Sequence, residues 1–276
     1  MRRMKIKFPR PKPGTRILTR CFFDPTGQFA YVANQSSNNI YLYTINGTTG
    51  ALTLVVGSPF TTGTTPISVT VHPTGQFAYV TNYNSGNVSA YVIDGITGAL
   101  TPVAGSPFPA GMYASSVTVD PTGQFAYVAN GSGTVSVYVI DGITGALTPV
   151  AGSPFPAGAG SSSVAVDPTG QFAYVANQGS NNVSAYGIDG ITGALTPVPG
   201  SPFPAGVGSI SVTVDSAGQF AYVANRGSGN VSAYSIDGIT GALVTVPGST
   251  FPAGSQPIKV TTTAGPPPPP ASAAKN

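Results

Sequence analysis

Groups able to act as acid, base or nucleophile are few in this 276-residue chain: one histidine, His72, one cysteine, Cys21, eight aspartates and no glutamate. Acyl transfer through a side-chain nucleophile needs a hydroxyl or thiol activated by a neighbouring base. His72 is the sole imidazole available to the many serines and threonines. Its setting is that of a repeat, not of a catalytic triad. HPTGQFAYVTN begins at His72, and near-identical stretches begin at Asp24, Asp120, Asp167 and Asp215. An aspartate that opens a turn accepts a hydrogen bond from the backbone N–H two residues on. The sequence therefore assigns these aspartates to turns and places His72 among them, with an exposed ring and no catalytic partner. A ring of such carboxylates holding calcium weakly is the competing reading. One histidine, one cysteine and no glutamate form no zinc signature, so no metal, no cofactor and no catalytic residue are assigned.

The positions where the copies disagree carry more information. After the strand that ends each motif the column reads Gln35, Tyr83, Gly131, Gln178, Arg226, and the segments linking the units carry Met112 and Tyr113 where the other copies have Thr64 and Thr65, Ala159 and Gly160, Val207 and Gly208, and Ser255 and Gln256. Aromatic and arginine side chains are the usual anchors of binding patches. Tyr83, Met112, Tyr113 and Arg226 are thus the expected ligand-binding residues.

The elements that position them follow from the period. Motif spacings of 48, 48, 47 and 48 residues mark one supersecondary unit copied five times, as in solenoids and propellers. Each unit holds a short alternating strand, a proline-glycine turn, a strand apolar on both faces, a third apolar strand and a fourth strand that contains proline. Runs buried on both sides sit between packed sheets, and proline confines the fourth strand to an edge. The class is all-β: a β-propeller of five four-stranded antiparallel blades, either a closed ring or an arc of a longer, seven-bladed type. If the first strand lies nearest the axis, every aspartate falls on one face, here called lower. The variable residues fall on the other, upper face.

The motifs DPTGQFAYVAN, NVSAYxID and TGALTPVxGSPF, with YVTN spelled by Tyr79 to Asn82, resemble the YVTN and lactonase-type β-propeller repeat family. That resemblance implies a propeller of the 6-phosphogluconolactonase-like kind, in a family that also includes surface-layer proteins without known catalysis. Five units, with one further first strand expected at 257–262, are fewer than the seven of the complete propellers.

Charge divides the chain sharply. Eight of the eleven cations lie between Arg2 and Arg20, and only 7 % of all residues are charged. The expected organisation is a basic, proline-containing arm at 1–15, the propeller at 16–262 and a proline-rich, disordered tail at 263–276. The arm belongs to no recognised nucleic-acid-reading module. No run reaches the length of a transmembrane segment, and the start lacks the apolar core of a signal peptide. Low charge and loops rich in serine, threonine, asparagine and glycine lead the sequence reading to a noncatalytic binding or cell-surface module, extracellular or on the cell surface. Its partner would be a small-molecule, carbohydrate-like or protein ligand on the upper face. The alternative is a lactonase that opens a sugar lactone.

Overall fold

A computed structural model describes residues 20–262. The expected basic arm and the whole of the proline-rich tail lie outside the described residues. Five antiparallel sheets follow one another, and the third shows the plan. Its inner strand Ala114–Val119 pairs with Phe125–Asn130, which pairs with Thr134–Ile140. The turn between the first two is built by Asp120: Oδ2 accepts the Thr122 N–H at 3.1 Å and Oδ1 the Phe125 N–H at 2.8 Å. Gly123 closes it at φ +78°, a left-handed conformation that costs glycine nothing.

The fourth strand of each blade is broken in two. Leu147–Pro149 pairs with the lower half of the third strand and Phe155–Pro156 with its upper end. In the gap the Ser153 hydroxyl accepts the Val137 N–H at 2.9 Å, doing the work of the missing backbone acceptor. Ser58, Ser106, Ser201 and Ser249 do the same in the other blades. Pro102, Pro149 and Pro197 all stand on this outermost strand, as expected.

Blades are locked together by one device used four times. The Phe77 ring lies over Gly145 of the next blade, where an added Cβ would come within 2.4 Å of Cδ1. The Tyr79 hydroxyl donates to the Gly145 carbonyl at 3.1 Å. Tyr31, Tyr127 and Tyr174 reach Gly98, Gly193 and Gly241 in the same way. In return, Tyr138 of the third blade donates to the Pro109 carbonyl of the second. Every apolar cluster therefore joins facing halves of two blades, as Phe77, Tyr79 and Val88 join Val128, Tyr138 and Ile140. Each such buried side chain contributes about 1.5–3 kcal/mol.

The lock has no receiver at the fifth blade. Phe220 is 36 % exposed where Phe77 is 3 %, and strand packing runs from blade one to blade five without returning to the first. The molecule is an arc of a propeller. The segment 257–262, expected as a further first strand, lies where the next inner strand would be: Val260 N–H donates to Ser211 Oγ at 3.4 Å, as Val212 N–H does to Ser163 Oγ at 3.3 Å. It is not a strand, because no second strand stands beside it to complete a ladder.

Candidate functional site

The inner strands line a channel of about 250 Å³ with the hydroxyls of Ser68, Thr70, Ser116, Ser163, Ser211 and Thr213, and Lys259 is the cation beside them. Above it stand the loops that follow each second strand and the segments that enter each next blade. These two variable columns meet across the blade junctions. Tyr83 and Tyr113 bring their rings to 5.1 Å at 36°, and the Tyr83 N–H donates to the Thr65 carbonyl at 2.9 Å. At the corresponding place in the fifth blade Arg226 Nη2 donates to Gln256 Oε1 at 3.3 Å.

The residue that enters each blade from the second to the fifth is left-handed, and so is its counterpart after the fifth. Thr65, Tyr113 and Gln256 have φ of 62°, 62° and 54°, and Gly160 and Gly208 replace them in the other two. A side chain forced into this conformation costs about 1–2 kcal/mol, and such outliers gather where a side chain has a task. The side chains of Tyr113 and Gln256 reach the loop of the preceding blade, Tyr113 tilted against Tyr83 and Gln256 accepting from Arg226, whereas Thr65 Oγ1 accepts from Asn84 within its own blade. Met112 precedes Tyr113 and is well exposed. The structure thus brings Tyr83, Met112 and Tyr113 to one part of the rim. Arg226 stands three blades away and belongs to a separate pair.

Two residues that the sequence reading missed lie directly beneath. Asn82 and Asn225, each at the top of its second strand, are fully buried and carry an Oδ1 with no hydrogen-bond partner. In the third and fourth blades the equivalent oxygens are satisfied, by the Gly111 N–H and the Ser161 hydroxyl. The unpaired acceptors therefore sit next to Tyr83 and Arg226, the two positions with the most distinctive chemistry. Because asparagine fills the column in all five copies, the sequence held no signal that two of the five differ.

The lower face behaves as a scaffold. Asp24, Asp120 and Asp167 are buried and bonded within their own turns. His72 corrects the expectation of an exposed ring: it is 5 % exposed. Its Nε2 donates to the Gly123 carbonyl of the next blade at 2.9 Å, and Nδ1 accepts the Thr74 N–H at 3.2 Å. The imidazole does what the aspartate oxygen does in the other turns, and its second nitrogen adds a bond between blades. Among the described residues no three histidine, cysteine, aspartate or glutamate side chains gather as a metal site. Among the same residues no helix is long and apolar enough to cross a membrane. Burial, reinforced by nearby aspartates, pushes the hydroxyls of Tyr31, Tyr79, Tyr127 and Tyr174 far up, and burial takes Tyr138 to about 12. All five are donors in the blade locks.

The family model of the lactonase, seven-bladed β-propeller matches residues 22–114 and 102–210. Similar solved structures include a putative 6-phosphogluconolactonase from Bacteroides uniformis, at 19 % identity and TM-score 0.73, and one from Bacteroides fragilis, at 20 % and 0.74; each alignment covers 84 % of this chain and 70 % of the other. A periplasmic gluconolactonase from Pseudomonas aeruginosa aligns at 20 % identity and TM-score 0.73 over 88 % of this chain and 74 % of its own. Coverage near five sevenths is what an arc of five blades gives against a ring of seven. No curated protein matches the sequence. The family match overturns the expectation of a noncatalytic cell-surface module: the features behind it, low charge and small polar loops, describe the outside of the propeller and say nothing of its mouth. The chain belongs to the seven-bladed β-propeller lactonase family.

Proposed function

We propose that the chain hydrolyses a sugar lactone at its upper face. The observation that carries the reading, beside family membership, is the pairing of the variable columns across blade junctions, which builds a tilted tyrosine pair at one place and an arginine-glutamine pair at another. Tyrosine offers a flat apolar face with a polar tip, suited to the C–H face of a sugar ring. The unpaired Asn82 and Asn225 oxygens accept from sugar hydroxyls after a small opening of the loops above them.

In the reaction water adds to the lactone carbonyl, the ring C–O bond breaks, the ring oxygen leaves as a hydroxyl, and the products are a hydroxy carboxylate and a proton released to solvent. The described upper rim bears no carboxylate or imidazole, so the proposed role of the protein is to seat the ring and stabilise the oxyanion, with solvent accepting the proton. The Arg226 guanidinium is the group for that charge, or for an anionic substituent on the sugar. Loss of one such donor costs on the order of a hundredfold in rate.

Titration of acid release at constant pH tests this, with δ-gluconolactone and its 6-phosphate as substrates. Hydrolysis above the spontaneous rate is expected, lowered by Tyr83→Ala and by Arg226→Ala, and an effect of Arg226→Ala confined to the phosphorylated lactone would assign the arginine to the substituent. No acceleration of either lactone by the intact chain refutes the proposal.

A further inference from the structure

Ile96, Ile143, Ile191 and Ile239 are 90–92 % exposed, at one place in four successive blades, on the lower-face turn Asp-Gly-Ile-Thr-Gly. Each turn is rigid. Asp94 Oδ1 accepts the Ile96 and Thr97 N–H groups at 3.0 and 2.8 Å, and Gly98, Gly145, Gly193 and Gly241 are pinned beneath a phenylalanine of the preceding blade. The isoleucines are therefore held out in solvent by well-bonded backbone, as a row of apolar knobs. Each stands two residues from an exposed carboxylate: Asp94, Asp141, Asp189 or Asp237.

The charge around them is of one sign. All eight aspartates face the lower side, whereas the cations among the described residues lie elsewhere: Arg226 on the upper rim, Lys259 at the channel, and Arg20 at the upper end of the first inner strand. The complementary chemistry is in residues 2–16, where seven cations alternate with Met4, Ile6 and Phe8. That segment joins the propeller at Arg20, and the strand Arg20–Phe23 runs from there down to the turn at Asp24. Its attachment is on the face opposite the isoleucines, with the blades between.

We propose that residues 2–16 of one copy dock on the lower face of a second copy, with cations against Asp94, Asp141, Asp189 and Asp237 and the interleaved apolar side chains against the isoleucine row. Copies would then stack upper face to lower face, a heterologous contact that repeats. The isoleucine face shares no residue with the lactone site, and the two proposals are tested separately.

The first blade supplies controls that fold. Its turn has Asn46 and Thr48 where the others have aspartate and isoleucine, and Asn46 Oδ1 accepts the Thr48 and Thr49 N–H groups at 3.0 and 2.8 Å. Two full-length variants copy it: Asp94→Asn with Asp141→Asn, Asp189→Asn and Asp237→Asn, and Ile96→Thr with Ile143→Thr, Ile191→Thr and Ile239→Thr. Sedimentation velocity of the intact chain at low salt should show concentration-dependent association, abolished near about 0.5 M salt, where screening is short-ranged. Each variant should associate roughly tenfold more weakly or worse, as four exposed ion pairs or four apolar contacts are lost, with an unchanged circular dichroism spectrum. A peptide of residues 2–16 should compete. Carbodiimide treatment of mixed light and heavy isotope chains should link Lys5, Lys7 or Lys12 of one copy to those aspartates of another. The proposal is overturned by a monomer at all concentrations, by association that neither variant weakens, by links confined to one chain, or by links from Lys275 in their place.

Discussion

Tyr79→Phe against Tyr222→Phe isolates the worth of the blade lock, because the chain contains its own unlocked copy. Tyr79 is fully buried and its hydroxyl bonds the buried Gly145 carbonyl at 3.1 Å. Its removal leaves that carbonyl without a donor, in a junction of packed side chains that water does not enter. A stranded buried acceptor costs about 1–3 kcal/mol. Tyr222 occupies the same place in the fifth blade, is half-buried, and has no following glycine carbonyl to bond, so its hydroxyl should be worth less than about 0.5 kcal/mol. In urea, with a slope of about 2–3 kcal/mol per molar, Tyr79→Phe should lower the unfolding midpoint by about 0.5–1 M and Tyr222→Phe by almost nothing. Circular dichroism and tyrosine fluorescence followed together would check that the blades unfold as one. Equal shifts in the two variants, or none in Tyr79→Phe, would show that packing alone holds the blades.

Tyr113→Gly removes a left-handed side chain where Gly160 and Gly208 stand in other blades. It should be at least as stable as the parent, and the KM for a sugar lactone should rise several-fold with kcat little changed. His72→Asp should leave lactone hydrolysis unchanged and lower stability by about 1–3 kcal/mol, since aspartate serves this turn elsewhere but the buried Gly123 carbonyl loses its donor; loss of activity in a folded variant would assign His72 to the chemistry. Backbone N–H donors, with help from threonine hydroxyls, hold Asp94, Asp141, Asp189 and Asp237 below the ordinary value of 3.8. Their contribution is complete above that value and is lost as pH falls through the depressed one, so the acid limb of a urea-midpoint profile should flatten in the fourfold Asp→Asn variant; an identical limb would refute the assignment.

Period, strand order and the edge position of Pro102, Pro149 and Pro197 were all legible in the chain, because each is written locally and five times. The turn role of Asp120 was legible for the same reason. What escaped were features made between units. Tyr83 and Tyr113 stood out together in the two variable columns, yet their direct ring contact crosses a blade junction and 30 residues of sequence, and the matching contact of Arg226 with Gln256 was hidden because glutamine there looked like drift. His72 was misjudged as exposed because its partner carbonyl belongs to the next blade. The outer strand was read as continuous, since nothing local announces that a serine hydroxyl substitutes for a backbone acceptor. The enzymatic reading lost to a surface module because composition reports the exterior, where most loops are.

The split outer strand also bears on edge-to-edge association in so weakly charged a protein. Only 7 % of its residues carry charge, too few for electrostatic repulsion to keep sheet edges apart. Each blade ends in pieces of three and two residues, both containing proline in the second, third and fourth blades. An incoming strand from another molecule would meet at most two or three ladder positions before a kink, too short a template for edge-to-edge growth. Neither piece of the first blade, Leu52–Leu54 or Phe60–Thr61, contains proline, and in the fifth blade Leu243–Thr245 lacks it. Where aggregation begins on heating or during refolding, it should begin at these two end blades.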